Sequence, residues 1–239
     1  MSSKGKNIFR EYFEAFAVAL LAALVLRALV IQAFRIPTGS MQDTLLVGDF
    51  LLVNKFVYGA MTPENIPFTK VKLPSFHFPG LKKPQRGDII VFKYPLDESL
   101  DYIKRCIGVP GDTLEMRQGV MYINHKPEGE IRFVQKKYDY EAVHNIDYYQ
   151  VTTPTGKEYT IRRYEGSSPT FPEIVVPPDH LFMMGDNRDN SADSRSWGFM
   201  PVKNIRGKAL VIYFSWDKYE PFWNPFRAIR WDRIFGVII

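Results

Sequence analysis

The sequence predicts a mostly β protein: a folded antiparallel, barrel-like β-sheet domain, an inserted β-rich second domain and one N-terminal transmembrane helix. Proline (17), glycine (16) and aromatic residues (15%) are frequent, which favours many short strands and turns over long helices. After Pro37, apolar runs rich in β-branched residues and bounded by turn signals replace helical periodicity. Before Pro37 lies one apolar stretch with the length of a membrane-spanning helix.

The composition argues against nucleic-acid and metal-dependent functions. The net charge is +5, but lysine and arginine are spread along the chain without a block typical of a nucleic-acid arm, so we expect no nucleic-acid partner. Cys106 is the single cysteine, which excludes an intrachain disulfide and a cysteine zinc site. The four histidines are scattered and form no HExxH motif. We expect no metal and no cofactor, while a catalytic triad of distant residues stays open.

Residues 15–34 are apolar apart from Arg27 and Gln32. As a helix they would span about 30 Å, the thickness of a bilayer core. The alternatives are a cleavable signal peptide, whose apolar region is about 7–15 residues long, and a buried core helix. The stretch runs directly into residues 35–40 without a small-residue cleavage site or a polar linker. We therefore interpret residues 15–34 as an uncleaved transmembrane anchor.

Basic residues set the expected orientation of this anchor. Lys4, Lys6 and Arg10 precede it, and positive charge favours the cytoplasmic side of a membrane. We expect residues 1–14 to form a cytoplasmic tail and the chain after the anchor to be exported.

The exported part is expected to form short strands. We place them at 49–53, 88–92, 102–107, 120–124, 159–163, 181–184 and 209–214, with a hairpin tip at Thr155-Gly156. Residues 35–112 and 180–239 then form the main β domain, of Greek-key or folded-sheet type, and residues 113–179 form the inserted domain. Residues 59–85, rich in proline, lysine and aromatic residues, are expected to be a long loop or ribbon.

Two short blocks place reactive side chains in specific contexts. Pro37 and Gly39 favour a tight turn that would present Ser40 on an exposed backbone, although a juxtamembrane loop serine is the simpler interpretation. Strand alternation puts Lys104 on one face with its neighbours two residues away, Tyr102 and Cys106. An inward lysine is rarely tolerated unless it is paired or used, whereas an edge-strand lysine can reach water.

A third block, Gly-Asp-Asn-Arg-Asp-Asn-Ser-Ala-Asp-Ser-Arg, occupies residues 185–195. A calcium-binding loop is one interpretation. Counted from Asp189, however, the position that needs glycine holds Ser194 and the closing glutamate position holds Met200, so the EF-hand pattern fails. A hydrogen-bonded polar loop remains the alternative.

Together these blocks resemble those of bacterial type I signal peptidases, also called leader peptidases. The matching motifs are Pro-Thr-Gly-Ser-Met at 37–41, Arg-Gly-Asp-Ile-Ile-Val-Phe at 86–92, Tyr-Ile-Lys-Arg at 102–105 and the block at 185–195. They occur in the family's order and span the chain from Ala15 to about Ile234. The resemblance implies a membrane-bound serine endopeptidase that removes signal peptides from exported preproteins, with the main β domain as its catalytic domain.

The resemblance also implies roles for individual residues. Ser40 is similar to the family's nucleophile and Lys104 to its general base. Thr38 falls where the family has a hydroxyl that forms the oxyanion hole together with the Ser40 N–H. Ser191 resembles the residue that orients the lysine. Asp193 and Arg195 match an ion pair that supports the site in the family.

The resemblance implies that the size of the substrate side chains determines which sites are cut. Shallow apolar pockets that admit only small side chains would select Ala-x-Ala-like cleavage sites. The residues implied to line them are Phe34, Ile36, Pro37, Met41, Leu45, Tyr102 and Ile103. The implied partners are preprotein signal peptides, membrane lipids and the secretion translocon. The implied location is the bacterial cytoplasmic (inner) membrane, crossed once, with the catalytic domain on the outer, periplasmic face.

A serine-lysine pair makes a physical demand on the fold. A serine hydroxyl needs an adjacent base to attack an amide. Lysine at its reference pKa of about 10.4 is a cation and cannot accept a proton. Burial among apolar groups can lower that pKa by up to about 3–5 units. The fold must therefore bury Lys104 beside Ser40.

Aromatic residues near the C-terminus are a candidate lipid-facing surface, and ordinary core is the alternative for each of them. They are Tyr213, Trp216, Phe222, Trp223 and Trp231.

The sequence departs from the family pattern in three places. Family members often carry proline three residues after the serine, where this chain has Asp43. Thr38 replaces the commoner serine but keeps the hydroxyl. Many relatives have two membrane segments before the serine, whereas one is found here.

Three other functions are suggested by parts of the sequence. Self-cleaving repressors share the serine-lysine fold but carry a helix-turn-helix and no anchor. A penicillin-binding enzyme would use an SxxK motif, but Ser215 to Lys218 lies at a predicted strand end without an accompanying KTG. A non-enzymatic, membrane-tethered β adaptor would make Ser40 and Lys104 dispensable, and it remains the alternative.

Overall fold

The structure is a computed structural model that describes residues 8–59, 78–140, 142–221 and 223–238. Most of the loop predicted at 59–85 lies outside the described residues.

The N-terminal helix α1 spans Ile8–Leu29, and strand β1 follows at Ile31–Arg35. Residues 31–34 of the predicted anchor therefore belong to a strand and not to the helix, which begins before residue 15, and the bounds 15–34 of the membrane segment stay a prediction. The pairing of β1 along a neighbouring strand, from Ile31 opposite Asn54 to Arg35 opposite Phe50, supplies the hydrogen bonds that favour the extended conformation. Among the residues that the structure describes, no helix is both long and apolar enough to cross a membrane.

In the part of the chain that the structure describes, thirteen further strands follow β1. They are β2 Asp49–Asn54, β3 Ile89–Tyr94, β4 Asp97–Gly108, β5 Thr113–Arg117, β6 Val120–Ile123, β7 Lys126–Pro127, β8 Glu130–Asp139, β9 His144–Thr152, β10 Glu158–Tyr164, β11 Phe171–Val175, β12 His180–Met184, β13 Met200–Pro201 and β14 Ile205–Ser215. Two four-residue helices, α2 Ser194–Trp197 and α3 Pro225–Ala228, and 3₁₀ turns at Gly39–Met41, Val202–Asn204 and Trp231–Arg233 complete the elements. Each of the seven predicted strands overlaps one of these, which confirms a mostly β chain.

Seven strands form the main antiparallel sheet in the order β1-β2-β14-β3-β4-β12-β13. Within the described ranges no pairing joins β1 to β13, so this sheet is open and the expected barrel-like closure is not found. Register shifts interrupt three of the pairings of β14 and β3 in the middle of the sheet, and such bulges typically bend a strand locally.

The chain between β4 and β12 forms two further sheets, one ordered β10-β9-β8 and the other β11-β5-β6-β7. The predicted hairpin tip is present between β9 and β10, where Gly156 adopts φ 80° and its N–H donates to the Thr153 carbonyl at 2.9 Å. Leu114 of β5 packs in one core cluster with Ile107 of β4 and Phe182 of β12. The division into domains at 112/113 and 179/180 stays a prediction.

Strand β4 separates two apolar clusters, as alternation predicts. Ile103 packs against a cluster that contains Met41 and Leu45, whereas Tyr102 and Cys106 pack against a cluster that contains Ile90 and Phe92. The odd- and even-numbered residues of β4 thus belong to opposite faces of the main sheet. The cluster on the Ile103 side includes the chain that immediately follows Ser40.

A buried ion pair fastens the inserted strands to the chain after β12. Both Arg188 and Glu128 side chains are 1% exposed, and they form a bidentate pair with N–O distances of 2.8 and 2.9 Å. The Tyr159 hydroxyl donates to the same carboxylate at 3.2 Å. A buried charge that loses its partner costs more than the pair itself contributes.

Replacing Glu128 by leucine is therefore expected to lower the free energy of unfolding by about 3–5 kcal/mol, because the Arg188 guanidinium stays buried without a carboxylate. The midpoint of thermal unfolding of the full chain in detergent measures the loss. The double variant Glu128→Leu/Arg188→Met should recover most of it. Glu115→Leu is the matched control, because Glu115 pairs with Arg117 at the surface and such a pair contributes about 0–1 kcal/mol. Equal losses for the buried and the surface change would contradict this expectation.

Candidate active site

Ser40 lies in the 3₁₀ turn Gly39–Met41 directly after β1, and it is only 9% exposed. Two hydrogen bonds from Asn187 fix the backbone of this turn. The Asn187 N–H donates to the Ser40 carbonyl at 3.1 Å, and Nδ2 donates to the Gly39 carbonyl at 3.0 Å. The turn predicted from Pro37 and Gly39 is present, but Ser40 is buried by the loop that follows β12 instead of being exposed.

Lys104 reaches Ser40 from the middle of β4. Its backbone pairs with Ile90 of β3, and its side chain is 4% exposed. The Nζ atom lies 2.6 Å from Ser40 Oγ and 3.1 Å from the Ile103 carbonyl oxygen. Both contacts are hydrogen bonds to neutral oxygen atoms, so the amine gains no ion pair from them.

Burial lowers the pKa of Lys104 to about 8, because the charged form loses its hydration. The carboxylates of Asp193 and Asp186 act in the opposite direction, and their effect is the smaller one. The Tyr102 ring, whose centroid lies 5.2 Å from Nζ, also favours the cation. A substantial fraction of Lys104 is therefore neutral near pH 8.

Ser191, the residue implied to orient the lysine, lies beside the turn but does not make that contact. Its Oγ is buried and has no hydrogen-bond partner among the described residues. Gly185 permits its close approach, since a Cβ at Gly185 would lie 2.3 Å from Ser191 Oγ and 2.4 Å from the Ser40 carbonyl oxygen. The hydroxyl is thus a free donor at the edge of the site.

Asp193 and Arg195 form the ion pair that the resemblance implies. The guanidinium donates Nε to Oδ1 at 2.8 Å and Nη2 to Oδ2 at 2.7 Å. Asp193 also caps α2 by accepting from the Arg195 N–H, and its Oδ2 accepts from the Gly185 N–H at 3.0 Å. The pair holds the start of α2 against the end of β12.

An open cavity of about 280 Å³ adjoins the Ser40–Lys104 contact. It is lined by Pro37, Thr38, Gly39, Ser40, Asp101, Tyr102, Ile103, Lys104, Asn190 and Ala192. Thr38 is exposed at its edge, in an extended backbone conformation, and its hydroxyl does not cap the 3₁₀ turn.

Three of the seven residues expected in the substrate pocket line this cavity, namely Pro37, Tyr102 and Ile103. The structure places the other four elsewhere: Ile36, Met41 and Leu45 are 0–2% exposed in the core cluster, and Phe34 packs against that cluster. Proximity in sequence to Ser40 did not distinguish side chains that face the cavity from those that face the core.

Sequence reasoning missed several residues that shape the site. Asp101, Asn190 and Ala192 line the cavity, while Asn187 and Gly185 hold the serine turn against the loop after β12. All but Asp101 lie in the 185–195 block, so the density of polar residues there was the available signal.

Asp43 occupies the position at which the family resemblance led us to expect proline. Its φ is 78°, which the proline ring, with φ near −65°, cannot adopt. The Oδ2 atom is buried without a hydrogen-bond partner, and burial raises the pKa of this carboxyl. A proline at position 43 could therefore not adopt this backbone conformation.

The serine of the SxxK alternative is not accessible in the described residues. Ser215 of the SxxK match is fully buried in β14, where its hydroxyl donates to Asp49 at 2.7 Å. In the described ranges, no group of three or more His, Cys, Asp or Glu side chains could hold a metal ion.

Comparison with known proteins gives a consistent result. The family model described as "Signal peptidase, peptidase S26" matches residues 9–216. Signal peptidase I of Pseudomonas aeruginosa is 39% identical, with 86% of this chain and 72% of the relative covered. Signal peptidase I of Buchnera aphidicola subsp. Acyrthosiphon pisum is 35% identical, with 98% of this chain and 84% of the relative covered. Signal peptidase I of Aquifex aeolicus is 35% identical, with 86% of this chain and 84% of the relative covered. The resemblance seen in the four sequence motifs is thereby confirmed, and the chain belongs to the peptidase S26 family of signal peptidases.

Proposed function

We propose that this chain is a serine endopeptidase that removes N-terminal signal peptides from exported preproteins, cutting after small-x-small, Ala-x-Ala-like sites. The activity follows from family membership, since the signal peptidases of three distant bacteria match over most of the chain. The use of Ser40 and Lys104 rests on one observation: a buried amine lies 2.6 Å from the serine hydroxyl.

In this proposal neutral Lys104 takes the Ser40 proton as Oγ attacks the scissile carbonyl carbon. The protonated lysine then returns the proton to the leaving amine, and water releases the acyl group by the reverse sequence. The 2.6 Å contact lies within proton-transfer reach, and the lowered pKa supplies a neutral amine without a histidine.

The oxyanion of the tetrahedral intermediate needs fixed donors. We assign these to the Ser40 N–H and the Thr38 hydroxyl, because Thr38 is exposed at the edge of the cavity with its side chain free of a capping bond. Ser191 is assigned to orient Lys104, because its buried hydroxyl beside the serine turn has no hydrogen-bond partner among the described residues and is therefore available. The Asp193–Arg195 pair supports the loop and takes no part in proton transfer.

Strand β4 offers the substrate a free edge. Strand β12 pairs with β4 only from Gly108 to Arg105, so residues 101–104 are paired on the β3 side and face the cavity on the other. An extended peptide can add to such an edge through main-chain hydrogen bonds, with alternate side chains entering pockets. A cavity of about 280 Å³ shared by several substrate residues leaves room for small side chains only.

Membrane attachment is proposed from the N-terminal apolar residues and from an exposed aromatic surface. Trp223 and Trp231, which were predicted as either core or lipid-facing, are 75% and 58% exposed, and Phe226 and Phe235 beside them are 79% and 78% exposed. Core is thus the wrong interpretation for the two tryptophans, whereas Tyr213 and Trp216 are half-buried and Phe222 lies outside the described residues. Tryptophan and phenylalanine at this exposure suit the headgroup region of a bilayer.

We therefore place the chain at the bacterial cytoplasmic membrane, crossed once by the N-terminal segment, with the catalytic part on the outer face. The chain remains bound to membrane lipids, and its substrates are preprotein signal peptides. The translocon is a transient partner, because a signal peptide becomes accessible at the outer surface only as it is exported.

Removal of either reactive group tests the dyad. Ser40→Ala and Lys104→Ala are each expected to reduce preprotein cleavage by at least about 10³-fold, since a triad-type enzyme loses rates of this order when one member is removed. Detergent-solubilised enzyme, a preprotein and mass spectrometry of the products measure both the rate and the cut position.

The matched controls are Ser99→Ala and Lys126→Ala, which change the same residue types at exposed positions and should cleave normally. Wild-type cleavage by the Ser40 or Lys104 variant would instead favour the β-adaptor alternative, in which both side chains are dispensable.

The pH dependence tests the base. Because Lys104 acts only when neutral and its pKa lies at about 8, kcat/KM is expected to rise about tenfold per pH unit below 8 and to level off above it. The rate is measured from pH 6 to 10 with one peptide substrate. A profile without an ascending limb in this range would rule out a lysine base.

The buried lysine should cost stability. The unfolded state keeps Lys104 hydrated with a pKa near 10.5, whereas burial in the folded state lowers this pKa to about 8. Between about pH 8 and 10.5 the unfolded state therefore binds more protons, and the free energy of unfolding falls as the pH is lowered through this range. Lys104→Met removes this penalty, so we expect it to raise the free energy of unfolding at pH 7 by about 1–3 kcal/mol. The midpoint of thermal unfolding at pH 7 and pH 10 measures the effect. A gain at pH 7 that is no larger than the gain at pH 10 would contradict the assignment.

A further inference from the structure

An aromatic cluster backs the cavity on the side of β3. Tyr94, the last residue of β3, stacks on Tyr102 with ring centroids 4.4 Å apart and planes 8° from parallel. Tyr102 in turn lines the cavity and lies 5.2 Å from Lys104 Nζ. Trp197 meets Tyr94 edge-on at 6.0 Å and 81°, and it packs against Phe92 at 5.9 Å. Tyr94 is thus one ring removed from the amine and is not among the residues that line the cavity.

We propose that Tyr94 is a positioning residue, which holds the Tyr102 ring as the wall that shields the lysine amine and limits the side chains the cavity admits. This inference rests on the proposed function, because it concerns how the Ser40–Lys104 site is enclosed.

The Tyr102 side chain needs such a partner. It is only half-buried, and on a strand two χ1 rotamers are commonly accessible to an aromatic side chain. The near-parallel stack on Tyr94 favours one of them, and the edge-on contact with Trp197 keeps Tyr94 from turning away. Phe92, opposite Tyr102 in the β3–β4 register and fully buried, closes the cluster from the core side.

A free Tyr102 ring would act on Lys104 in two opposite ways. Loss of the ring face above Nζ would disfavour the cation, while entry of water would favour it. Since burial is the largest cause of the lowered lysine pKa, water entry decides the sign, and the pKa should move up toward 10.5. The charged groups that act on Nζ, Asp193 and Asp186 from the loop after β12, stay in place and also favour the cation.

The second consequence concerns substrate size. Tyr102 and Ile103 are the large apolar residues of the cavity wall, so a rotated Tyr102 would enlarge the space for the residue at the cleavage site. Selection against one or a few methylenes by such a wall is worth about 10- to 200-fold in kcat/KM. If Tyr102 is no longer held in place, the preference for a small residue at the cleavage site should therefore weaken more than kcat/KM on small residues falls.

Tyr94→Leu tests the proposal, with Tyr94→Phe as its matched control because phenylalanine keeps the stacked ring and loses only the hydroxyl. kcat/KM is measured from pH 6 to 10 on two peptides that carry alanine or valine at the cleavage site. For Tyr94→Leu we expect the ascending limb to move up by about half a pH unit or more and the alanine-over-valine preference to fall about tenfold. Tyr94→Phe should match the wild type in both.

Ser40→Ala is assayed in parallel, so that failure of the dyad, seen as cleavage by that variant, is distinguished from failure of the positioning role. A Tyr94→Leu enzyme that is folded and retains the wild-type pH limb and selectivity would overturn the proposal. Should Tyr94→Leu not fold, Trp197→Leu removes the edge-on partner of Tyr94 and is expected to move both readouts in the same directions, and an unchanged profile there would equally overturn it.

Discussion

The site depends on keeping the amine of Lys104 away from water without giving it a carboxylate to bind. A lysine on the surface, or in a salt bridge, would be charged at neutral pH and unable to accept a proton. The structure meets both conditions: the side chain is 4% exposed, and Nζ bonds to the Ser40 hydroxyl and the Ile103 carbonyl. The low pKa is therefore a consequence of packing, and it persists only while the surrounding loop and strands stay closed.

Two carboxylates near enough to affect the lysine pKa are each held by an arginine. Asp186 forms a fully buried bidentate pair with Arg105, at 2.8 and 2.9 Å, and Asp193 pairs with Arg195 at 2.7 Å. Neither carboxylate forms an ion pair with Lys104 itself, and burial is the largest influence on the lysine pKa. The two arginine pairs fix the loop after β12 in position.

The sequence predicted the strands better than it predicted the contacts of individual side chains. Period-two alternation correctly placed Tyr102 and Cys106 on one face of β4, opposite Ile103, because that pattern is a local property of the strand. The sequence did not separate the helix from β1, since an apolar run at residues 31–34 suits a helix and a strand alike, and pairing with β2 decided between them. Nor does sequence position show which side chains line the cavity, as Met41 and Leu45 illustrate. They lie within five residues of Ser40, but the turn directs them into the core, and only the three-dimensional path of the chain determines this.

The unpaired edge of β4 beside Lys104 and the loop that covers the serine turn have one structural origin. Strand β12 runs beside β4 as far as Met184, opposite Arg105, and the chain leaves the sheet at Gly185. Because it leaves there, residues 101–104 remain unpaired on that side and can accept an extended peptide, while the departing chain crosses over Ser40 and bonds to it through Asn187. A side chain at Gly185 would block this crossing, since its Cβ would lie 2.4 Å from the Ser40 carbonyl oxygen. The point at which β12 leaves the sheet therefore determines both the unpaired edge of β4 and the contacts that cover the serine turn.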